Sequence, residues 1–133
     1  MDKRFMGILE ERRKIREEAI NKAREFTEEV RKRLGKVTSI LIGSYARGDF
    51  NEWSDIDIVL ISPSFPDNIL KRYDLLIDYG IMIPNIELIL LKPEEALKLA
   101  SKKGITIEDV INNGIVLIDD LEIIDELKKL LKS

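Results

Sequence analysis

The sequence predicts an α/β (α+β) sandwich, a small mixed β-sheet flanked by helices. Three observations predict it. Apolar residues recur at three- and four-residue steps over residues 10–34, which marks a long amphipathic helix. Four short runs rich in apolar, β-branched residues follow, at residues 37–43, 55–61, 85–91 and 115–119. Helical patterns separate most of these runs and close the chain. A chain of 133 residues suits one compact unit, so residues 1–133 are expected to form a single domain.

Each element has its local reason. In the first helix Ile15, Ala19, Ala23, Phe26, Val30 and Leu34 form one apolar stripe, and Gly35 is a natural stop. The run VTSILIG at 37–43 reads as the first strand, and the polar, glycine-bearing stretch after it as a loop. DIDIVLI at 55–61 is the second strand, stopped by Ser62-Pro63. Pro66 and Asp67 open a second helix with Ile69, Tyr73, Leu76 and Ile77 on one face. NIELILL at 85–91 is the third strand. Pro93, with Glu94 and Glu95 in the first turn, starts the next helix, which ends near Gly104. A short helix begins at Thr106 and stops at Gly114. IVLID at 115–119 is the fourth strand, and residues 121–131 form the closing helix. The first three strands should share one sheet. The long helix should pack by its apolar stripe, and a stripe left half covered would point to a homodimer.

Composition narrows the chemistry. The chain has no cysteine, which excludes disulfides and thiolate metal sites. It has no histidine, which excludes histidine-ligated metals and the serine–histidine triad. Catalysis would have to use carboxylates, hydroxyls, Lys, Arg or a metal held by oxygen. The absence of glutamine and the wealth of Ile, Lys and Glu resemble a thermophile's composition. The net charge of −3 divides into +4 over residues 1–36 and −7 over the remainder. A body of that sign gives no strong nucleic-acid signal, and it suits a site that gathers divalent cations. No apolar run is long enough to span a bilayer, and the start lacks a signal-peptide stretch, so a cytoplasmic protein without membrane contact is expected.

The informative segment is GSYARGDFNEWSDIDIVL, residues 43–60. Gly43 at a strand end permits close approach to the backbone. If a helical turn starts at Ser44, its free N–H groups and the hydroxyl form an anion site; an ordinary turn is the plainer reading. Asp55 and Asp57 lie two apart on a strand, so their carboxylates share a face. Their repulsion calls for a hard cation, although a loop cap and a solvated strand residue fit the pattern equally well. Glu87 is the acid inside the apolar strand NIELILL. It either faces a site or stands in water on an edge strand. Arg47 reads by itself as a surface arginine pairing with Asp49 or Glu52. Trp53 reads as a packing residue ahead of a base-stacking platform.

Together the strand-end Gly43-Ser44, ten intervening residues and Asp55-x-Asp57 resemble the signature of the DNA polymerase beta nucleotidyltransferase superfamily. GSYARGDF followed by SDIDIVL is similar to its small stand-alone branch, the minimal nucleotidyltransferases. The resemblance implies a nucleotidyltransferase-like sandwich. It implies that Gly43 and Ser44, with Arg47 nearby, hold the phosphates of a nucleoside triphosphate, ATP for this branch. It implies that Asp55 and Asp57 bind two Mg2+ ions. Glu87 would stand where the family's third carboxylate, usually aspartate, acts as ligand or base. The implied reaction moves AMP onto an acceptor hydroxyl, a tyrosine of a small helical HEPN-type partner being one such acceptor. The alternative implied role is an antitoxin-like binding module that neutralises a partner without catalysis.

Overall fold

The computed structural model describes residues 2–133, with side chains placed for all of these except residues 105 and 106. Ten elements follow one another: α1 (Lys3–Leu34), β1 (Thr38–Ile42), α2 (Gly43–Arg47), β2 (Ile56–Ile61), α3 (Ile69–Asp78), β3 (Ile86–Leu91), α4 (Pro93–Ser101), α5 (Ile105–Asn113), β4 (Ile115–Asp119) and α6 (Ile124–Lys132). The four strands form one mixed sheet in the order β3-β2-β1-β4. β1 runs antiparallel to both β2 and β4, and β2 runs parallel to β3.

The alternation of side chains along the strands builds two cores. Leu41 of β1, Ile56, Ile58 and Leu60 of β2, and Ile86 and Leu90 of β3 join Ala19, Ala23, Phe26 and Val30 of α1 and Leu76 of α3. Ile40, Val59 and Ile61 face the other way, onto Ala96, Ala100, Val110, Ile124 and Leu127 of α4, α5 and α6. β2 is therefore covered on both faces, which is why it reads as a nearly unbroken apolar run. The exception is Asp57, on the α4–α6 face near the start of the strand.

Apart from the short α2, which lies where a loop is expected, and β2, which begins at Ile56 and leaves Asp55 just outside the strand, the elements agree with the sequence-based expectation in order and kind. α1 begins at Lys3, where Asp2 caps it by accepting from the Arg4 N–H at 3.0 Å. Its stripe is buried only from Ala19 onward. Ile15 is 40% exposed, and Phe5, Met6, Ile8 and Leu9 lie in solvent, because the sheet ends beneath the middle of the helix. On α3, Ile69 and Ile77 are exposed, contrary to expectation. The inward face instead carries Leu76 and the buried guanidinium of Arg72, which turns the helix away from the simple apolar stripe. α6 starts three residues late, since Asp119 accepts from the N–H groups of Ile123 and Ile124 and Glu122 takes a left-handed conformation. Among the described residues no helix is long and apolar enough to cross a membrane.

Candidate active site

The site forms where β1 ends and β2 begins. Ile42 pairs with Asp57 across the antiparallel ladder, and the next residue, Gly43, turns the chain into α2 with φ of 75°. That left-handed conformation favours glycine. Space demands glycine as well: a Cβ here would run into Asp57 Oδ2 and lie 3.2 Å from Asp57 Cγ. The Asp57 carboxylate thus rests against the backbone at the start of α2, beside half-buried Ser44. The helical turn envisaged at Ser44–Arg47 is present, beginning at Gly43.

α2 is only five residues long and is held from outside. Arg16 of α1 donates to the carbonyls of Tyr45 and Ala46 at 2.8 and 2.7 Å. Arg12 donates to Phe50 O at 3.0 Å and lies over the Phe50 ring, which stacks on Tyr45. These guanidiniums satisfy carbonyls at the C-terminal end of the turn, where positive charge suits the helix dipole. Neither arginine was singled out from the sequence. Their position next to the apolar stripe of α1 was the available signal.

In the parallel ladder Asp57 lies directly beside Glu87 of β3, so the two carboxylates stand on the same face of the sheet. Asp57 is pushed up to about 6, first by burial, then by hydrogen bonding with Glu87 and by the negative charges of Glu87 and Asp55; Arg47 pulls partly the other way. β3 is an edge strand and Glu87 is solvent-exposed, as one sequence reading expects, and its carboxylate reaches Asp57. Asp55 immediately precedes β2 and lines a cleft of about 380 Å³. Arg47 makes the surface pair with Asp49, at 3.2 Å, while its charge is felt at Asp57.

Trp53 corrects the sequence reading. It is not a packing residue but 83% exposed, at the mouth of the same cleft, because Phe50 takes the place against Tyr45.

The donor set is all oxygen, which fits a hard divalent cation. Among the described residues no three acidic groups are gathered tightly enough to hold a metal ion by themselves. Mg2+ does not need such a cage, since it commonly takes one or two carboxylates and completes its shell with substrate phosphates and water. Burial raises Asp57 first and the neighbouring carboxylates add to it; that added repulsion is what such an ion would relieve.

Comparison with known proteins follows this geometry. The profile of the family described as "Nucleotidyltransferase domain" matches residues 23–132. Two Methanocaldococcus jannaschii proteins, each named "putative protein adenylyltransferase", are similar in sequence. One is 35% identical over 81 residues, covering 53% of this chain and 53% of that protein. The other is 47% identical over 45 residues, covering 33% of this chain and 45% of that protein. The chain thus spans about half the length of the curated relatives it matches. A crystal structure of a "putative nucleotidyltransferase" from Sulfolobus solfataricus superposes with a TM-score of 0.58 at 21% identity, covering 79% of this chain and 84% of that one, and shows the same fold.

Proposed function

The chain belongs to the nucleotidyltransferase domain family, and we propose that, as a single catalytic domain, it transfers AMP from ATP onto an acceptor hydroxyl with the help of divalent cations. The observation that carries this reading is Asp57 held against Gly43 and beside Glu87, with the charge of Asp55 felt there and only Arg47 partly offsetting it. The relatives' name, protein adenylyltransferase, supports AMP as the transferred group and a protein as the acceptor.

In this reading Ser44 and the backbone at Gly43 orient the β- and γ-phosphates, with Arg47 at their flank. Asp55 and Asp57 would hold Mg2+, two ions in the nucleotide complex, and Glu87 would stand next to them. When bound, the ions supply charge neutralisation at the phosphates and lower the acceptor's pKa. The acceptor oxygen forms a bond to the α-phosphorus as the bond to the pyrophosphate oxygen breaks. Glu87, exposed at the edge of the cluster, takes the hydroxyl proton. Pyrophosphate leaves from the Gly43-Ser44 side.

A second reading, a binding module that neutralises a partner, is favoured by the exposed apolar half of α1, with Phe5, Met6, Ile8 and Leu9 in solvent. A small helical HEPN-type protein or a second copy of the chain would fit that face. The deciding experiment incubates the protein with Mg2+ and ATP labelled at the α-phosphate, alone and with a co-expressed helical partner. Transfer of label to protein, abolished by EDTA, is expected. Tight partner binding with no label transfer would replace the catalytic reading with the second one.

A further inference from the structure

We propose that Trp53 is the stacking platform for the nucleobase of the triphosphate, with Asn85 reading the edge of the base. The inference rests on the nucleotidyl-transfer reading above and assigns a subsite to it. Among the described residues Trp53 is the most exposed large apolar side chain at 83%, against 75% for Leu70. An indole ring in water is a large apolar surface with no partner. Its backbone, by contrast, is held. The Trp53 N–H donates to Asn51 Oδ1 at 2.8 Å, the Asn51 N–H donates to Ser54 Oγ at 2.9 Å, and the Ser54 N–H returns to Asn51 O at 3.1 Å. A closed turn therefore presents an uncovered ring on the cleft that Asp55 also lines.

The cleft under that ring takes a small planar group. Its volume of about 380 Å³ lies within the range of small-molecule sites. Asp55, one of the proposed metal ligands, lines it, which ties an occupant to that end of the proposed site. Glu18, Glu52 and Asp55 line it together with Lys22, a net negative lining that disfavours phosphate and leaves the triphosphate to Gly43 and Ser44. The uncharged end of the nucleotide is left for the cleft. Asn85 also lines it, from the turn before β3, with φ of 70°, a conformation asparagine tolerates better than most residues. Its carbonyl is taken by the Ile56 N–H at 2.9 Å. Its side-chain amide carries the donor and acceptor that pair with N6 and N7 of adenine.

Trp53 is the only tryptophan, so intrinsic fluorescence reports on it alone. The experiment titrates the protein, without acceptor, with Mg2+ and α,β-methylene-ATP, and in parallel with inorganic triphosphate. The nucleotide is expected to quench Trp53, while triphosphate competes for the site without quenching. Trp53→Ala should weaken nucleotide binding by roughly 5–150-fold, the scale of one base–aromatic stack, and leave triphosphate affinity within about twofold. Trp53→Phe should restore most of the loss. Asn85→Ala should narrow the preference for the adenine nucleotide over its cytosine counterpart. Equal affinity of the wild type for nucleotide and triphosphate, an unaffected Trp53→Ala, or quenching that needs the acceptor would overturn the platform and spare the transfer reading. If neither nucleotide nor triphosphate binds, both fall together.

Discussion

β3 has a charged group near each of its ends, and the two ends treat charge in opposite ways. Near Leu90 the Arg72 guanidinium is 1% exposed, yet every direction it points in is answered. It donates to the carbonyls of Pro66, Asp67 and Leu90 and forms a two-pronged bridge to Glu95 at 2.6 and 3.0 Å. Glu95 is held below the usual carboxylate range, first by Arg72, and it closes the first turn of α4 by accepting from the Lys92 N–H. Near Glu87 the arrangement is reversed. Asp57 lies beside Glu87 and is pushed upward first by burial, then by Glu87 and by the charge of Asp55. A charge with a complete set of partners joins α3, β3 and α4; a carboxylate only partly offset by Arg47 is the kind of perturbed group on which the proposed function rests.

The largest effect is expected at Asp57. Asp57→Asn keeps the shape and removes the charge. AMP transfer should fall on the order of 10⁴-fold, about 5 kcal/mol of barrier, while the metal-free fold is preserved or gains stability. Steady-state transfer and thermal unfolding of one preparation measure both. Near-normal transfer by Asp57→Asn would remove the carboxylate cluster from the chemistry.

Arg72→Met should do the opposite. Three carbonyls lose their donor and Glu95 loses its bridge, so unfolding in urea should show a loss of about 3 kcal/mol. The nucleotide affinity of the remaining folded protein should be unchanged. A loss of affinity larger than the loss of stability would mean that the two ends of β3 are coupled.

The difference between the two ends also marks what could be read from sequence. The Gly43-Ser44 and Asp55-x-Asp57 cluster was legible because it is local: one strand end, one loop and one strand carry it. Glu87 stood out because an acid interrupts an apolar run. Strand and helix order followed from periodicity and from Gly and Pro punctuation. Arg72 was invisible, since its partner Glu95 lies 23 residues away and an arginine on an amphipathic helix reads as surface. Arg12 and Arg16 were missed for the same reason, their acceptors lying 29 to 38 residues along the chain. Trp53 was misread because an apolar ring is ordinarily covered, and only the tertiary stack of Tyr45 on Phe50 decides which aromatic goes inside.

A smaller effect separates shape from charge. Gly43 and Gly48 both adopt positive φ, 75° and 93°. A Cβ at Gly48 meets nothing within 4 Å, whereas at Gly43 it meets the Asp57 carboxylate. Gly48→Ala should therefore cost only the left-handed strain, about 1 kcal/mol, and keep triphosphate binding. Gly43→Ala should cost about 2 kcal/mol and weaken binding as well, because Asp57 must move. Equal behaviour of the two variants in thermal unfolding and triphosphate titration would show that the close approach at Gly43 has no functional part.

The smallest effect is a dependence on pH that only the carboxylate end should show. Asp57 is held at about 6 in the folded protein. In the unfolded chain it returns to the ordinary aspartate range near 4. Between these values the folded state binds a proton that the unfolded state does not, so stability falls as pH rises through the window. Without divalent cations the protein should be more stable at pH 5 than at pH 7.5, by about 1 kcal/mol once solvent screening of this partly exposed group is allowed for. Glu95 and Asp67 are lowered, Glu95 first by Arg72 and Asp67 first by Lys92, so their contributions are lost only below the ordinary carboxylate range and leave this window clear. Asp57→Asn should flatten the slope, and Arg72→Met should keep it. Mg2+ at pH 7.5 should raise the melting temperature of the wild type, because a cation that prefers the folded arrangement offsets the same repulsion as the proton. The Asp57→Asn protein should gain less from Mg2+. A slope that survives in Asp57→Asn would place the titrating group elsewhere, and the carboxylate end would then be no more perturbed than the Arg72 end.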